Sequence, residues 1–467
     1  MRRVCSTLLA LCALAMSALG ARAASPQIPP PIRHVVIIVL ENSDFANNFG
    51  AGAALSPYLN QTLVPAGVEI PLYFGTGHAS LDNYVTMISG QPPNPQTQGD
   101  CTSPATLSPG TLDANGIAAG SEGCTFAANV PTVADQLNAA GFTWKGYMED
   151  MQNSPQTART TCRGPGAPFT PSGTDTTDKY AMKHNPFVYF SSITGLTHTD
   201  GNSQGTAVAY NNLAYCDAHD VPLTQLTTDL ASHSLPNYSF ITPNLCDDGH
   251  DVCGSSNPDN GPAQWDAFLH TWVPPILADP AFQPGGDGLL FITWDEGEGD
   301  STSCCNEQPG PNLNPAAVPP QTPGGDEPPG PGGGQVGAVA ISPFIAPNSS
   351  PATGMYNHYS LLRSIEDIFG LGHIGYAAQS GLASFGSDVY TAAQPSSSTP
   401  EAPVVPLMVV AGLMIIAMQR VLRTSYRDRP YPRWHGRTGP GPRGTAARRG
   451  SGQSVSRRRD PLDQRLQ

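Results

Sequence analysis

The stretch HVVIIVL, residues His34–Leu40, decides the fold. Its apolar and mostly β-branched residues follow one another without polar alternation, which is typical of a strand buried on both faces of a parallel sheet. Similar runs recur at residues 289–294 (LLFITW) and 336–341 (VGAVAI), and residues 239–242 form a shorter one. The sequence therefore predicts a sheet whose centre is buried and largely parallel.

Helical patterns lie between these runs, at residues 130–140 and 357–369. Alternating strands and helices predict an α/β domain over residues 32–390, with a doubly wound, mostly parallel sheet sandwiched by helices and functional residues at the carboxyl ends of the strands. A Pro/Gly-rich insert at residues 306–335 interrupts this domain and is too rich in chain breakers for packed structure. A Pro, Ser and Thr linker follows at residues 391–403.

Charge is distributed unevenly along the 467 residues. Residues 419–467 hold thirteen Arg and three Asp, a net charge of +10, whereas residues 25–418 hold seven basic and thirty-four acidic residues, a net charge of −27. Because the acidic body would repel a phosphate backbone, we expect no nucleic acid partner. A charged fraction of only 13% also argues against a coiled coil.

Both ends of the chain carry targeting patterns. Residues 1–23 combine a basic start, an apolar middle and a small-residue cleavage site, which predicts a secretory signal peptide rather than the alternative, a buried N-terminal helix. Residues 404–418 are free of charge and are followed at once by Arg residues. Fifteen residues are short for a helix that crosses a membrane. The flanking Arg side chains can compensate, because they are long enough to reach the membrane–water interface.

We therefore expect residues 404–418 to be a membrane anchor, with an interfacial or disordered segment as the alternative. The excess of Arg after it places residues 419–467, a disordered tail, in the cytoplasm and the catalytic domain outside the cell. We expect the exported protein to be a monomer.

Cysteine usage agrees with export. Two of the ten cysteines leave with the signal peptide and eight remain, which predicts at most four disulfides whose pairing the sequence leaves open. No zinc-finger spacing competes with this interpretation.

Acidic and amide side chains gather where the predicted strands end. Glu41 and Asn42 follow the first strand, Asp295 and Glu296 follow the run at 289–294, and Asn244 lies just after residues 239–242. In an open α/β sheet these ends can be neighbours, so the carboxylates would converge. Because convergent carboxylates repel one another, we predict a metal site there rather than three unrelated solvated loop acids.

Two histidines complement the acidic residues. His250 lies in the acidic stretch CDDGHD at residues 246–251, and His358 opens the helical pattern at residues 357–369. A histidine at a helix start is often a cap or a core residue. Beside acidic clusters, a metal ligand or a general acid or base becomes the stronger interpretation.

The candidate nucleophile is Ser80, in the stretch GHASLDNY at residues 77–84. A serine just before a helix is by default an N-cap, worth about 1 kcal/mol to stability. A helix start also offers free backbone N–H groups and positive partial charge, which suit a phosphoryl group. A metal ion bound by Glu41 could activate the hydroxyl group.

The sequence resembles the bacterial phosphoesterase family. This family includes secreted acid phosphatases and phospholipases C, and it belongs with the alkaline-phosphatase-like folds. The resemblance rests on the order and number of short motifs between residues 32 and 378. They are ENSDF at Glu41, HASLDNY at His78, YMED at Tyr147, KHNPFVYF at Lys183, ITPNLCDDGHD at Ile241, TWDEGEGD at Thr293, ISPF at Ile341 and NHYSLLRSIEDIFGL at Asn357.

The resemblance implies roles for individual residues. It makes Ser80 the nucleophile, with Asn83 beside it as a catalytic residue. The implied ligands of the first metal are Glu41, Asn42, Asp295 and Glu296. His250 and His358 follow Ser80 along the chain in the same order as the family's histidines that hold a second metal or act as general acid and base.

This sequence differs from the family pattern at one ligand position of the second metal. Many relatives carry an aspartate where this sequence has Cys246, so Asn244, Asp247 or Asp248 must substitute or the second site is empty. Asp248 completes our predicted ligand set. The cofactor is a divalent metal ion, and calcium, magnesium, manganese and zinc remain open.

The predicted function is a phosphomonoesterase of the acid phosphatase type, which acts on small-molecule or lipid phosphate esters, phosphoinositides among them, through a phosphoserine intermediate. A phospholipase C or another phosphodiesterase on the same site is the nearest alternative. An inactive surface-binding protein on the same scaffold is an alternative of another class.

Overall fold

The computed structural model describes residues 28–101, 111–119, 123–153, 159–164, 178–198, 208–251, 261–311 and 332–392. All of them belong to one compact unit. The predicted signal peptide, membrane anchor and Arg-rich tail lie outside the described residues, as does the linker beyond residue 392. Among the helices in the described ranges, none is long and apolar enough to cross a membrane.

Thirteen short strands occur in the described residues. In chain order they are β1 (His34–Leu40), β2 (Val68–Ile70), β3 (Tyr73–Phe74), β4 (Thr111–Leu112), β5 (Ala118–Ala119), β6 (Trp144–Met148), β7 (Leu196–His198), β8 (Val208–Tyr210), β9 (Asp220–Pro222), β10 (Tyr238–Thr242), β11 (Gly288–Trp294), β12 (Ala338–Ile341) and β13 (Tyr356–Asn357).

The α-helices of the same residues range from one turn to four. They are α1 (Phe45–Asn48), α2 (Val64–Ala66), α3 (Ser80–Ser89), α4 (Val133–Ala140), α5 (Ser191–Thr194), α6 (Leu213–His219), α7 (Thr224–Ala231), α8 (Pro262–Leu277) and α9 (His358–Phe369). Short 3-10 segments include Thr97–Gly99, Met182–His184 and Pro186–Tyr189.

Seven strands form the central sheet, in the order β2-β12-β11-β1-β10-β6-β9. The five strands from β11 to β9 are parallel. Beyond β11, β12 pairs antiparallel with β11, and the outermost strand β2 pairs antiparallel with β12. Strand β1 pairs with β11 along its whole length and with β10 on its other side. The α/β class with a mostly parallel sheet is therefore confirmed, and the three strand ends predicted to be neighbours are neighbours.

The centre of the sheet is buried because β1 and β11 carry almost no polar side chains. Every residue of β11 is buried, and all but the first residue of β1 are buried. Their side chains join one continuous apolar core with those of β10 and of helices α3 and α9. Such burial on both faces requires helices above and below the sheet, and it leaves the polar residues at the carboxyl end as the natural place for a site.

The two described ends of the predicted insert, residues 306–311 and 332–335, differ from our expectation. Gly333 is buried and accepts a hydrogen bond from the backbone N–H of Gly297 at 2.7 Å, and Gly75 donates to Gly334 at 2.9 Å. At the other end Gly310 is buried too. Backbone hydrogen bonds, which composition does not reveal, attach these Gly-rich residues to loops beside the carboxyl end of the sheet.

Disulfides are present, as predicted. Cys101 pairs with Cys124, Cys162 pairs with Cys216, and the neighbours Cys304 and Cys305 pair with each other. Cys246 is disulfide-bonded as well.

Two helix C-termini provide a matched test of the packing around α3. Gly90 ends α3 and Gly370 ends α9, both in the left-handed conformation with φ of 66° and 68°. A Cβ added at Gly90 would lie 2.6 Å from the carbonyl oxygen of Ile374, whereas one added at Gly370 meets no described atom within 4 Å.

We therefore expect Gly370→Ala to lower the free energy of unfolding by about 1 kcal/mol, the cost of left-handed backbone alone. Gly90→Ala should cost at least about 1 kcal/mol more, because the neighbouring backbone must also shift. Denaturant unfolding monitored by circular dichroism measures both. Equal losses in the two variants would contradict the close packing of α3 against residues 374–376.

Candidate active site

A buried carboxylate at the end of β1 is the centre of the site. Glu41 is 1% exposed, and its Oε1 accepts a hydrogen bond from the hydroxyl of Ser80 at 2.8 Å. The ammonium of Lys183 lies 2.7 Å from the same oxygen and 3.2 Å from Ser80 Oγ. Three functional groups from distant parts of the chain therefore meet at one point.

Ser80 is the first residue of α3, and its side chain does not cap the helix. The N-cap position belongs to Ala79, which makes no side-chain cap, and Ser80 Oγ donates to Glu41 instead. Ala79 has a φ of 132°, a conformation that residues other than glycine rarely adopt. Its N–H donates to the Glu296 carboxylate at 2.8 Å, so a contact from the end of β11 helps to hold this strained turn.

His184 adds a ring to the centre of the site. Its Nε2 lies 3.1 Å from Glu41 Oε1, its Nδ1 lies 3.5 Å from Asp248 Oδ2, and the ring stacks on Tyr84 at a centroid distance of 4.8 Å. All three residues of the group Glu41, His184 and Asp248 are buried, and one ligand atom of each lies within 4.8 Å of the others.

The end of β11 supplies the second pair of carboxylates. Asp295 Oδ1 accepts from the backbone N–H of Asn42 at 3.0 Å and of Glu296 at 2.7 Å. His78 Nδ1 lies 3.4 Å from Glu296 Oε2. The strand pairing of β1 and β11 thus brings all four predicted first-metal residues to one edge of the sheet, as expected.

Burial and mutual repulsion both oppose ionisation of the carboxylates here. Burial, reinforced by Glu296 and Glu41, raises the pKa of Asp295 to about 8. Burial and Glu41 raise the pKa of Asp248 well above its usual range. Burial also opposes ionisation of Glu41, but His184 and Lys183 outweigh it and hold its pKa well below the ordinary value. Without a further cation, these carboxylates cannot all be ionised together.

The donor set fits a divalent metal ion. Within the described residues, the buried atoms Asn42 Oδ1 and Asp295 Oδ2 have no hydrogen-bond partner. Carboxylate and amide oxygens of this kind, with the buried imidazole of His184 nearby, suit calcium, magnesium, manganese and zinc alike. The residues that could hold such an ion are Glu41, Asn42, His184, Asp248, Asp295 and Glu296.

His250 lies on the open side of the site. Its side chain is 38% exposed, and its Nδ1 lies 3.8 Å from Glu41 Oε2 and 3.5 Å from Asp251 Oδ1. The hydrogen bond with Asp251 raises the pKa of His250 to about 9 against the opposing effect of burial. The imidazole is therefore protonated near neutral pH and is a donor.

His358 contacts the end of β11 and the core. The ring is fully buried, with Nε2 2.6 Å from the backbone oxygen of Asp295 and Nδ1 2.9 Å from the hydroxyl of Tyr73. Because a carbonyl only accepts, Nε2 carries the proton and Nδ1 accepts from Tyr73. Both nitrogens are used, and burial lowers the pKa of His358 to about 4. These contacts brace the end of β11, and the role of His358 as a second-metal ligand or as a general acid and base stays a prediction.

Asn83 also braces the site rather than lining it. Its Oδ1 accepts from the backbone N–H groups of Thr76 and Gly77 at 2.8 and 3.1 Å, and its Nδ2 donates to the carbonyl of Gly77 at 2.9 Å. These bonds shape the loop that leads into Ser80. The catalytic role implied for Asn83 stays a prediction.

The replacement for the missing second-metal aspartate can also be located. Asn244 donates to Asp150 Oδ2 at 2.9 Å and its N–H donates to Glu149, and Asp247 interacts with Glu149. These residues form a separate acidic cluster. Of the three candidates, Asp248 is the one beside Glu41.

Sequence reasoning missed Lys183 and His184. Both lie within a stretch that contributed to the family resemblance, but no role was assigned to either. Lys183 is 142 positions from Glu41 along the chain, and the 3-10 turn Met182–His184 that carries both residues has no distinctive apolar pattern. Only the fold brings them to the end of β1.

Relatives of known activity are similar over much of the chain. The phosphatidylinositol-3-phosphatase of Mycobacterium tuberculosis is 26% identical over 348 residues, which are 74% of this chain and 80% of that protein. A phosphate-repressible acid phosphatase of Penicillium chrysogenum is 28% identical over 268 residues, 56% of this chain and 48% of the fungal enzyme.

Solved structures are less similar. A phosphonate monoester hydrolase from Silicibacter pomeroyi matches with 13% identity and a TM-score of 0.38, covering 78% of this chain and 77% of that one. A likeness this low supports no argument about the reaction.

The family assignment rests on the sequence. The profile of the Phosphoesterase family matches residues 63–372, which include Ser80, Lys183, His184 and the carboxylates that follow β11. Together with the acid phosphatases among its relatives, this match shows that the chain belongs to the phosphoesterase family and is a phosphoric ester hydrolase.

Proposed function

We propose that the protein is a phosphomonoesterase that works through a phosphoserine at Ser80. The observation that carries the proposal is the position of Ser80 Oγ, 2.8 Å from Glu41 Oε1 and 3.2 Å from Lys183 Nζ. A hydroxyl held between a carboxylate and an ammonium group, at a helix start, has the surroundings of an activated nucleophile rather than of a cap.

Ser80 attacks the phosphorus atom in line with the leaving group, and the bond between phosphorus and the leaving oxygen breaks. Glu41, which stays ionised because its pKa is low, accepts the hydrogen bond of the hydroxyl and orients it, and the Lys183 ammonium stabilises the negative charge that grows on Ser80 Oγ as the hydroxyl proton is lost to water. Burial opposes the charged form of Lys183, but Glu41 and Asp100 raise its pKa well above the ordinary value, so it acts as a cation. Water then cleaves the phosphoserine and frees the hydroxyl.

Glu41, Asn42, Asp295 and Glu296 would hold a divalent metal ion, with Asp248 and His184 adjacent. When bound, the ion neutralises the carboxylates and stabilises the charge on the phosphoryl oxygens. Repulsion between two carboxylates about 4 Å apart amounts to about 4 kcal/mol at an effective dielectric of about 20, which a cation would remove. His358 and Tyr73 keep Asp295 in place from behind.

His250 is a partly exposed imidazole beside Glu41, so a leaving group on the open side of the site can reach it. We assign it the donation of a proton to the leaving oxygen. The neighbouring cations Lys183 and His250 suit the terminal, doubly charged phosphate of a monoester. The relatives from Mycobacterium tuberculosis and Penicillium chrysogenum, both named as phosphatases, support a monoester substrate, including a lipid phosphate.

We further propose that the enzyme is exported and anchored through residues 404–418, with its catalytic domain outside the cell. The disulfides of the described domain support an oxidising compartment. The last hydrogen bond that attaches the C-terminal side of the domain joins Ala392 to Phe344, within the described residues. The catalytic residues all precede this point.

Ser80→Ala should lower kcat for p-nitrophenyl phosphate by about a thousandfold or more, because the attacking oxygen is lost. Ser89→Ala is the matched control. Ser89 is a buried serine on the same helix that hydrogen-bonds to Val85, away from the site, and the variant should keep its rate. A folded Ser80→Ala enzyme with near wild-type activity would show that Ser80 is not the nucleophile.

The wild-type enzyme should hydrolyse p-nitrophenyl phosphate faster than bis(p-nitrophenyl) phosphate. Faster turnover of bis(p-nitrophenyl) phosphate would favour a phosphodiesterase.

Asp295→Asn should lose both bound metal and turnover, because the amide removes one charge from the ligand set. His250→Ala should lose turnover and keep most of the metal. Elemental analysis of the purified variants, combined with assays before and after chelation, separates the two effects. Full metal content in Asp295→Asn, or full activity after exhaustive chelation, would place the metal elsewhere or remove it from the mechanism.

Deletion from residue 404 onward should release an active, soluble enzyme, since the described domain is complete before that point. The full-length protein should stay in the membrane fraction through a high-salt wash. Release by salt alone would show that the Arg-rich tail holds the protein electrostatically and that the anchor is wrong.

A further inference from the structure

Asp100 contacts both the nucleophile helix and the lysine of the site. Its Oδ1 accepts a hydrogen bond from the backbone N–H of Leu81, the residue after the nucleophile, at 3.0 Å. Its Oδ2 lies 3.5 Å from Lys183 Nζ. Lys183 is therefore flanked by two carboxylates, Glu41 inside the site and Asp100 at its edge.

The backbone that presents Asp100 is held in an unusual conformation. Asp100 and Cys101 both have positive φ, 50° and 57°, directly after the 3-10 turn Thr97–Gly99. Asn94 braces that turn, since its Oδ1 accepts from the N–H groups of Gln96 and Thr97. Two consecutive left-handed residues other than glycine persist only where surrounding contacts hold them.

A disulfide connects this turn to the segment that carries Lys183. Cys101 is bonded to Cys124, and both are buried. Two residues after Cys124, Phe126 donates its N–H to the carbonyl of Tyr189 at 2.7 Å, within the 3-10 turn that follows Lys183. The supports of Asp100 and of Lys183 are thus linked by one covalent bond and one backbone hydrogen bond.

We propose that Asp100 is a positioning residue that holds the Lys183 ammonium against Ser80 and Glu41. The proposal rests on the function proposed above, in which Lys183 stabilises charge on the nucleophile. A lysine has a long, rotatable stem and is a point charge without a fixed direction. Asp100 attracts the ammonium towards the start of the helix. Because the Asp100 carboxylate also binds the N–H of Leu81, its position is fixed relative to the helix that carries Ser80.

This role predicts a particular kinetic signature. Asp100 is negative and lies at the exposed edge of the site, so its simple electrostatic effect on a phosphate ester is repulsion. Removing its charge would then tighten substrate binding. If Asp100 instead positions Lys183, its loss weakens an interaction made mainly in the transition state and lowers kcat.

The test uses the full-length enzyme with its metal and p-nitrophenyl phosphate as substrate. Asp100→Asn should lower kcat about tenfold with a smaller change in KM, and Asp100→Glu should restore much of the rate. Asp113→Asn is the matched control. Asp113 also accepts backbone N–H groups in a turn, from Asn115 and Ile117, but contacts no residue of the site, and its loss should leave kcat unchanged.

Coupling to Lys183 separates positioning from general structural support. In a Lys183→Gln background, Asp100→Asn should change kcat by less than about twofold, because the group it positions is gone. A full tenfold loss in that background would show that Asp100 acts independently of Lys183 and would overturn the proposal. A lower KM with unchanged kcat would overturn it as well, in favour of simple repulsion.

A structural measurement keeps this inference distinct from the proposed function. Crystal structures of the wild-type and Asp100→Asn proteins should show Lys183 Nζ within hydrogen-bond distance of Ser80 Oγ in the first and displaced in the second. An undisplaced ammonium would reject the role of Asp100 even if Ser80 is the nucleophile. If the wild-type enzyme fails to hydrolyse phosphomonoesters, the proposed function falls, and these distances still decide whether Asp100 positions Lys183.

Discussion

The interaction on which the site depends is the burial of the Glu41 carboxylate at the end of β1. A buried carboxylate is tolerated only with compensating charge and hydrogen bonds. Here the hydroxyl of Ser80, the ammonium of Lys183 and the ring of His184 supply them, all within 3.1 Å of one oxygen. The groups that stabilise Glu41 are the groups that can attack a phosphorus atom and stabilise the developing charge, so stability and chemistry share the same contacts.

The sheet determines which residues can reach Glu41. Because β1 pairs with β11 on one side and β10 on the other, the carboxylates after β11 and the loop after β10 meet at one edge. Helix α3 then enters this edge with its first residue, through the strained turn at Ala79 and the bracing amide of Asn83. His358 and Tyr73 support the same edge from the core. Asn83 and His358 therefore support the site through hydrogen bonds to its backbone.

The parts that could be predicted from the sequence are those encoded locally. The apolar run of β1 indicated a buried parallel strand, and the polar residues immediately after β1 and β11 indicated where a site would form. Ser80 was identified from its position before a helix together with the family resemblance. By contrast, Lys183, His184 and Asp100 reach the site through long-range contacts that leave no periodic pattern. The contacts of His358 escape prediction for the same reason, because its two hydrogen-bond partners, Tyr73 and the Asp295 carbonyl, lie far away in the chain.

In the proposed mechanism Ser80, held by Glu41 and Lys183, becomes covalently phosphorylated during turnover. Rapid acid quenching of the enzyme with a ³²P-labelled phosphomonoester, followed by peptide mapping, would detect this intermediate. We expect transient labelling of the peptide that contains Ser80, with no label in Ser80→Ala. Turnover without any labelled enzyme, or label on a histidine elsewhere, would contradict it.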